Sequence, residues 1–160
     1  MKLFILRHGE AEMMASRDEQ RQLTERGRDD VAAVLAARAE DLQGVQRILV
    51  SPYVRAQETA EIVADFLPHL NLHTTPFLVP ESNPIEFIRW LNSQCYGDLG
   101  LEEILLISHQ PLVGTLVNGL SGSDQGLHAM GTANLAALEM DILAYGLADL
   151  LWLSRPNELN

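Results

Sequence analysis

Three apolar runs end in residues able to do chemistry on a phosphoryl group. Leu3-Phe4-Ile5-Leu6 passes into Arg7-His8-Gly9-Glu10, and Ile104-Leu105-Leu106-Ile107 into Ser108-His109-Gln110-Pro111. The third, Ile48-Leu49-Val50, passes into Ser51-Pro52, with Arg55 a helical turn further on. A transferring phosphoryl group spreads charge over three equatorial oxygens. Guanidinium forks hold such oxygens without ever losing their own charge. A neutral imidazole attacks phosphorus in line and becomes a phosphohistidine. A second, protonated imidazole donates to the oxygens as charge builds. Two histidines and two arginines form such a set, and the positive charge of Arg7, Arg55 and His109 removes the need for a metal or other cofactor.

The elements that must position these residues are legible as well. The three runs are continuous rather than alternating, the pattern of strands buried on both faces of a parallel sheet. Segments of helical period separate them. Thr24 reads as an N-cap before Val31, Val34, Leu35 and Leu42, and a helix after Ser51-Pro52 carries Ala56, Ala60, Val63 and Leu67. Another spans Pro84 to about Cys95, with Ile88, Leu91 and Cys95 inward. A fourth begins at Pro111 and shows Leu112, Leu116 and Leu120. Residues 72–78, 133–140 and 147–153 are further strand candidates, whereas 9–22 and 121–131 read as loops. Alternating β and α elements predict a three-layer α/β/α sandwich with a mostly parallel central sheet, as a single domain over residues 1–160. Ligands of such sheets bind beyond the carboxyl ends of the strands, where both histidines and both arginines are expected. Helices starting near 53 and 111 aim their N-termini at the same edge, which favours an anion.

Composition narrows the partners. The chain has 160 residues, 47% of them hydrophobic, enough for one core and too few for two comfortable domains. It carries a net charge of -11, which argues against nucleic-acid and anionic-membrane roles. The lone Cys95 excludes an internal disulfide and a cysteine-based zinc site, and fits a reducing cytoplasm. No apolar run approaches a bilayer span or the core of a signal peptide, so a cytoplasmic protein is expected. Nothing marks a dimer stripe, and a monomer is the simpler reading.

Taken together, Leu6-Arg7-His8-Gly9-Glu10, Leu23-Thr24-Glu25-Arg26-Gly27, Ser51-Pro52-Tyr53-Val54-Arg55-Ala56-Gln57-Glu58-Thr59 and Ile107-Ser108-His109-Gln110-Pro111 resemble the histidine phosphatase superfamily, whose fold is phosphoglycerate mutase-like. The small size and the run Ser108 to Gly114 look most like its SixA-type phosphohistidine phosphatases. The resemblance implies His8 as the nucleophile, Arg7 and Arg55 as phosphate clamps, and His109 as the second histidine of the phosphate pocket. It makes Thr24 a structural cap. It also implies a phosphohistidine-bearing signalling protein, such as a phosphotransfer domain, as the partner.

Other residues carry weaker signals. Relatives that cleave phosphate esters hold a glutamate near the position of Glu81 that protonates the leaving oxygen, so Glu81 is a candidate proton donor. Phosphohistidine has a labile P–N bond, and transfer between two imidazoles is nearly balanced, so a dedicated acid is less necessary there. A small-molecule phosphomonoesterase using Glu81 is therefore the alternative, and a non-catalytic phosphohistidine-binding module a remoter one. Ser51 reads as a strand-to-helix turn and cap. His69, His73 and His128 have no motif context. Cys95 lies on an apolar stripe and reads as core. Glu10, Glu12, Asp18 and Glu19 read as solvated loop, with the option of repelling small polyanions should they border the site. Little chain remains to build a lid, so a shallow crevice suited to a side chain displayed on another protein is expected.

Overall fold

Hydrophobic runs without polar interruption form the centre of the sheet. The computed structural model describes residues 1–95, 100–123 and 129–159. Strands β1 (Lys2–Arg7), β2 (Arg47–Val50) and β4 (Glu103–Ser108) coincide with the three apolar runs. With β3 (Leu72–Thr74), β5 (Leu135–Glu139) and β6 (Asp149–Ser154) they make one six-stranded sheet in the order β3-β2-β4-β1-β5-β6. The four strands from β3 to β1 are parallel, and β5 runs antiparallel to both of its neighbours. Mostly parallel is therefore the correct description.

Alternation along the strands feeds two cores. Leu3, Ile5, Leu49, Ile104 and Leu106 pack with helices α3 (Pro84–Cys95) and α4 (Leu112–Ser121). Phe4, Leu6, Ile48, Val50 and Ile107 face helices α1 (Glu25–Ala37) and α2 (Val54–Phe66). A sheet with apolar residues on both faces needs cover on both, which gives the three layers. Thr24 caps α1 through its hydroxyl, which accepts from the Gly27 amide at 2.9 Å. Gly122, at φ 72°, ends α4 in the left-handed conformation open to glycine.

Several boundaries differ from the sequence expectation. The strand expected over 72–78 stops at Thr74, because Pro76 has no amide for the ladder and opens a 3-10 turn over Pro76–Leu78. The strand expected from 133 starts at Leu135. Ala133 has φ 58°, outside the extended region, and its amide donates to the Arg7 and His8 carbonyls instead. The last strand begins at Asp149. Leu42 is buried beyond the end of α1, not on it, since Arg38 leaves the helix to stack over Trp152 and bond Ser154. Pro111 precedes α4 as its N-cap. Cys95 is in the core, His69 and His73 are exposed, and His128 lies outside the described residues. No helix among the described residues is long and apolar enough to cross a membrane.

Candidate active site

Sheet order and register assemble the site. β2, β4 and β1 are neighbours, and the pairings Val50 with Ile107 and Arg7 with Ser108 align their carboxyl ends. The Ser51 amide donates to the Ile107 carbonyl at 3.1 Å and the His8 amide to the Ser108 carbonyl at 3.0 Å, carrying the ladder one residue past each strand. His8, Ser51 and His109 therefore emerge side by side. The His8 and His109 rings are 5.0 Å apart. Arg7, His8, Arg55 and His109 line one crevice of about 320 Å³, joined by Arg21 and Asp18.

Each of these side chains is held from more than one direction. The loop after His8 is fixed by close backbone packing: a Cβ on Gly9 would approach the Gly27 carbonyl to 2.6 Å, and one on Gly27 would strike the Glu10 carbonyl. Thr24 completes that clamp through its amide on the Glu10 carbonyl and its hydroxyl on the Glu10 carboxylate. Thr59, wholly buried, accepts from the Gly9 amide at 3.2 Å and donates to the Arg55 carbonyl at 2.7 Å. One hydroxyl thus ties the His8 loop to the helix that carries Arg55.

The imidazole of His8 is held in one tautomer. Its Nδ1 lies 2.7 Å from the Gly9 carbonyl oxygen, an acceptor only, so Nδ1 carries the proton and Nε2 the lone pair. The Arg55 Nε–H donates to that Nε2 at 3.3 Å. Burial lowers the His8 pKa to about 3; the Gly9 hydrogen bond opposes this, and the Arg55, Arg7 and Arg21 charges add to it. The ring is neutral across the physiological range.

His109 corrects the expectation of a protonated second imidazole. Burial, together with His8, Arg55, Arg7 and Arg21, lowers its pKa to about 2, so the ring is neutral before an anion binds. Its Nε2 lies 2.7 Å from the Ser51 hydroxyl oxygen, and the edge of Tyr53 packs against it. Two buried polar atoms on crevice-lining residues, Arg7 Nε and His109 Nδ1, have no hydrogen-bond partner among the described residues.

Both arginines are anchored. Arg7 donates to the Met130 carbonyl at 2.9 Å. Arg55 donates to the Asp18 carbonyl at 2.8 Å and to the Asp18 carboxylate at 3.2 Å. Desolvation opposes ionisation of Asp18, but Arg55 and Arg21 outweigh it and hold the carboxyl below its usual range. Of the acidic loop residues, Glu10 and Asp18 thus border the crevice, whereas Glu12 and Glu19 do not. Glu81 is exposed, one residue beyond the crevice-lining Pro80, and its carboxylate accepts from the Tyr53 hydroxyl at 3.5 Å. The structure does not bring it into contact with the four central residues.

Sequence reasoning missed the parts played by Asp18, Arg21, Thr59 and the contact of Ser51 with His109. Arg21 had a signal, a guanidinium in an acidic loop. The Asp18–Arg55 pair, 37 residues apart, had none.

The chain is similar to known proteins in sequence and fold. The sequence pattern of the histidine phosphatase superfamily (branch 1) matches residues 3–79. The Escherichia coli phosphohistidine phosphatase SixA is 36% identical over 119 residues, covering 73% of this chain and 72% of that protein. A SixA homolog of Haemophilus influenzae is 36% identical over 139 residues, covering 76% and 78%. The solved structure of the protein histidine phosphatase SixA complexed with tungstate superposes with a TM-score of 0.86 at 30% identity, covering 100% of both chains. Motif order, fold and identity agree, and the chain belongs to the histidine phosphatase superfamily.

Proposed function

We propose that this protein is a protein-phosphohistidine phosphatase acting on the phosphorylated histidine of a signalling or phosphotransfer domain. The observation that carries the reading is the crevice itself, lined by Arg7, His8, Arg55 and His109, where a neutral His8 keeps an Nε2 lone pair that accepts from Arg55 Nε–H, and where Arg7 Nε and His109 Nδ1 lack partners among the described residues. Buried polar groups are rarely left unpaired, and an oxyanion seated between two arginines would satisfy them. In the first step His8 Nε2 attacks phosphorus, the substrate's P–N bond breaks, and its electron pair returns to the substrate imidazole. The hydrogen bond that Arg55 Nε–H now gives to the His8 lone pair switches to a phosphoryl oxygen as that pair bonds to phosphorus, and the proton stays on Arg55. Water then attacks phospho-His8, releasing phosphate and regenerating the imidazole.

Two features support a protein substrate. The relatives at 36% identity are named as phosphohistidine phosphatases. The segment 12–20, which leads into the crevice at Asp18 and Arg21, is exposed throughout, and Met13 and Met14 are 90% and 86% exposed. Two adjacent thioethers in solvent are an adaptable apolar contact for a partner surface. Replacing both with alanine is expected to raise KM for a phosphodomain roughly tenfold, the scale of a modest interface contact, and to leave hydrolysis of a small aryl phosphate unchanged. The lone Cys95, buried in the core, accords with a reducing cytoplasm.

The deciding experiment compares phosphate release from a purified phosphohistidine domain with release from a panel of phosphate monoesters. Glu81→Gln is expected to keep most of the activity on the phosphodomain. Preference of the wild type for one monoester, with Glu81→Gln inactive, would establish a metabolite phosphatase instead. Phosphodomain binding by wild type without any turnover would establish a binding module.

A further inference from the structure

Ser51 was expected to do no more than turn the chain, and it does accept from the Tyr53 amide at 3.3 Å in that role. It is also wholly buried and 2.7 Å from His109 Nε2. A hydroxyl has one proton and two lone pairs. The Tyr53 N–H takes a lone pair. Among the described residues the one acceptor paired with the Ser51 hydroxyl is His109 Nε2. If Nε2–H donated to Ser51 instead, both the hydroxyl proton and the Nδ1 lone pair would be buried without a partner, against the single unpartnered Nδ1–H of the other arrangement.

We propose that Ser51 is a positioning residue, which donates to His109 Nε2 and thereby fixes the imidazole in the Nδ1–H tautomer. The assignment rests on the reading of the crevice as a phosphoryl site. Its consequence there is one of sign. A neutral imidazole offers one donor and one lone pair, and Nε2 is occupied by Ser51. The ring nitrogen left for a phosphoryl oxygen is Nδ1, which has no partner among the described residues. With the proton on Nδ1 it meets the anion as a donor; with the proton on Nε2 it would meet it as a lone pair and repel it. Because burial keeps the ring neutral, the tautomer rather than the charge decides what His109 does.

The test is the nitrogen NMR spectrum of the His109 ring, recorded on the ligand-free protein near neutral pH and assigned by its loss in His109→Gln. The wild type is expected to show a protonated Nδ1 and an unprotonated Nε2. Ser51→Ala is expected to mix the tautomers and to lower kcat on a phosphohistidine domain by roughly 10²-fold, the scale of one misdirected oxyanion donor. Ser51→Thr, which keeps the hydroxyl, should restore both the spectrum and the rate. A wild-type spectrum with the proton on Nε2 overturns the proposal outright, even if neither variant folds. So does a folded Ser51→Ala protein that keeps the Nδ1–H tautomer. A wild type with Nδ1–H and no turnover of any phosphohistidine would instead defeat the proposed function and leave the tautomer assignment standing.

Discussion

Alanine at position 8 is expected to lower phosphate release from a phosphohistidine domain by about 10⁴-fold or more, the usual consequence of removing a covalent nucleophile. The loss should fall on kcat, because His8 is not the group that holds the anion. Arg7 and His109 keep their unpartnered atoms, and Arg55 Nε, which now donates to His8 Nε2, gains freedom to meet a phosphoryl oxygen. Binding of inorganic phosphate or tungstate by His8→Ala should therefore equal or exceed that of the wild type. Acid-stable controls and rapid quenching with radiolabelled phosphodomain would show a phosphoenzyme in wild type and none in the variant. Retention of activity within tenfold of wild type would place the nucleophile elsewhere.

The second large effect is on stability and follows from the two neutral imidazoles. His8 and His109 have folded pKa values of about 3 and about 2 against an ordinary value of 6.5. Above 6.5 neither folded nor unfolded chain binds these protons, so the pair adds no pH dependence. Below 6.5 the unfolded chain takes up both protons and the folded chain neither, so stability falls as pH falls, until the folded pKa values are reached. Two protons correspond to a slope of roughly 2.7 kcal/mol per pH unit between about pH 6 and 4. Urea unfolding at a series of pH values measures it. His8→Asn and His109→Gln should each remove about half of the slope. A wild-type slope under about one proton across that window would show that the imidazoles charge inside the folded protein.

Much of this molecule was readable because its chemistry sits where its hydrophobic pattern ends. β1, β2 and β4 are buried on both faces, so their sequences are uninterrupted apolar runs, and the polar residues just after each lie at or beside the crevice. That single regularity placed Arg7, His8, Ser51 and His109. Failures came where local pattern lost to backbone geometry. β3 looked longer because Phe77, Leu78 and Val79 are apolar, yet Pro76 diverts them into a turn. β5 looked longer because Ala133 is unremarkable in sequence, and only tertiary contact with the Arg7 and His8 carbonyls selects its positive φ. The Asp18 anchor of Arg55 and the Ser51 contact with His109 are products of register between distant strands and loops. No local window holds that information. The charge state of His109 was likewise out of reach, since it depends on burial and on three guanidiniums brought together by folding.

The position of β1 in the sheet also bears on how the chain is made. This strand is synthesised before either of its neighbours, sandwiched as it is between β4, at residues 103–108, and β5, at 135–139. His8 at its end is framed only when those segments have left the ribosome, so the proposed site is incomplete in a truncated chain. Until then Leu3, Phe4, Ile5 and Leu6 have no strand to pair with, and such a segment is a template for association with other chains. Contacts this distant in sequence close slowly. Shielding residues 1–10 until those strands form is therefore expected to raise the yield of folded protein.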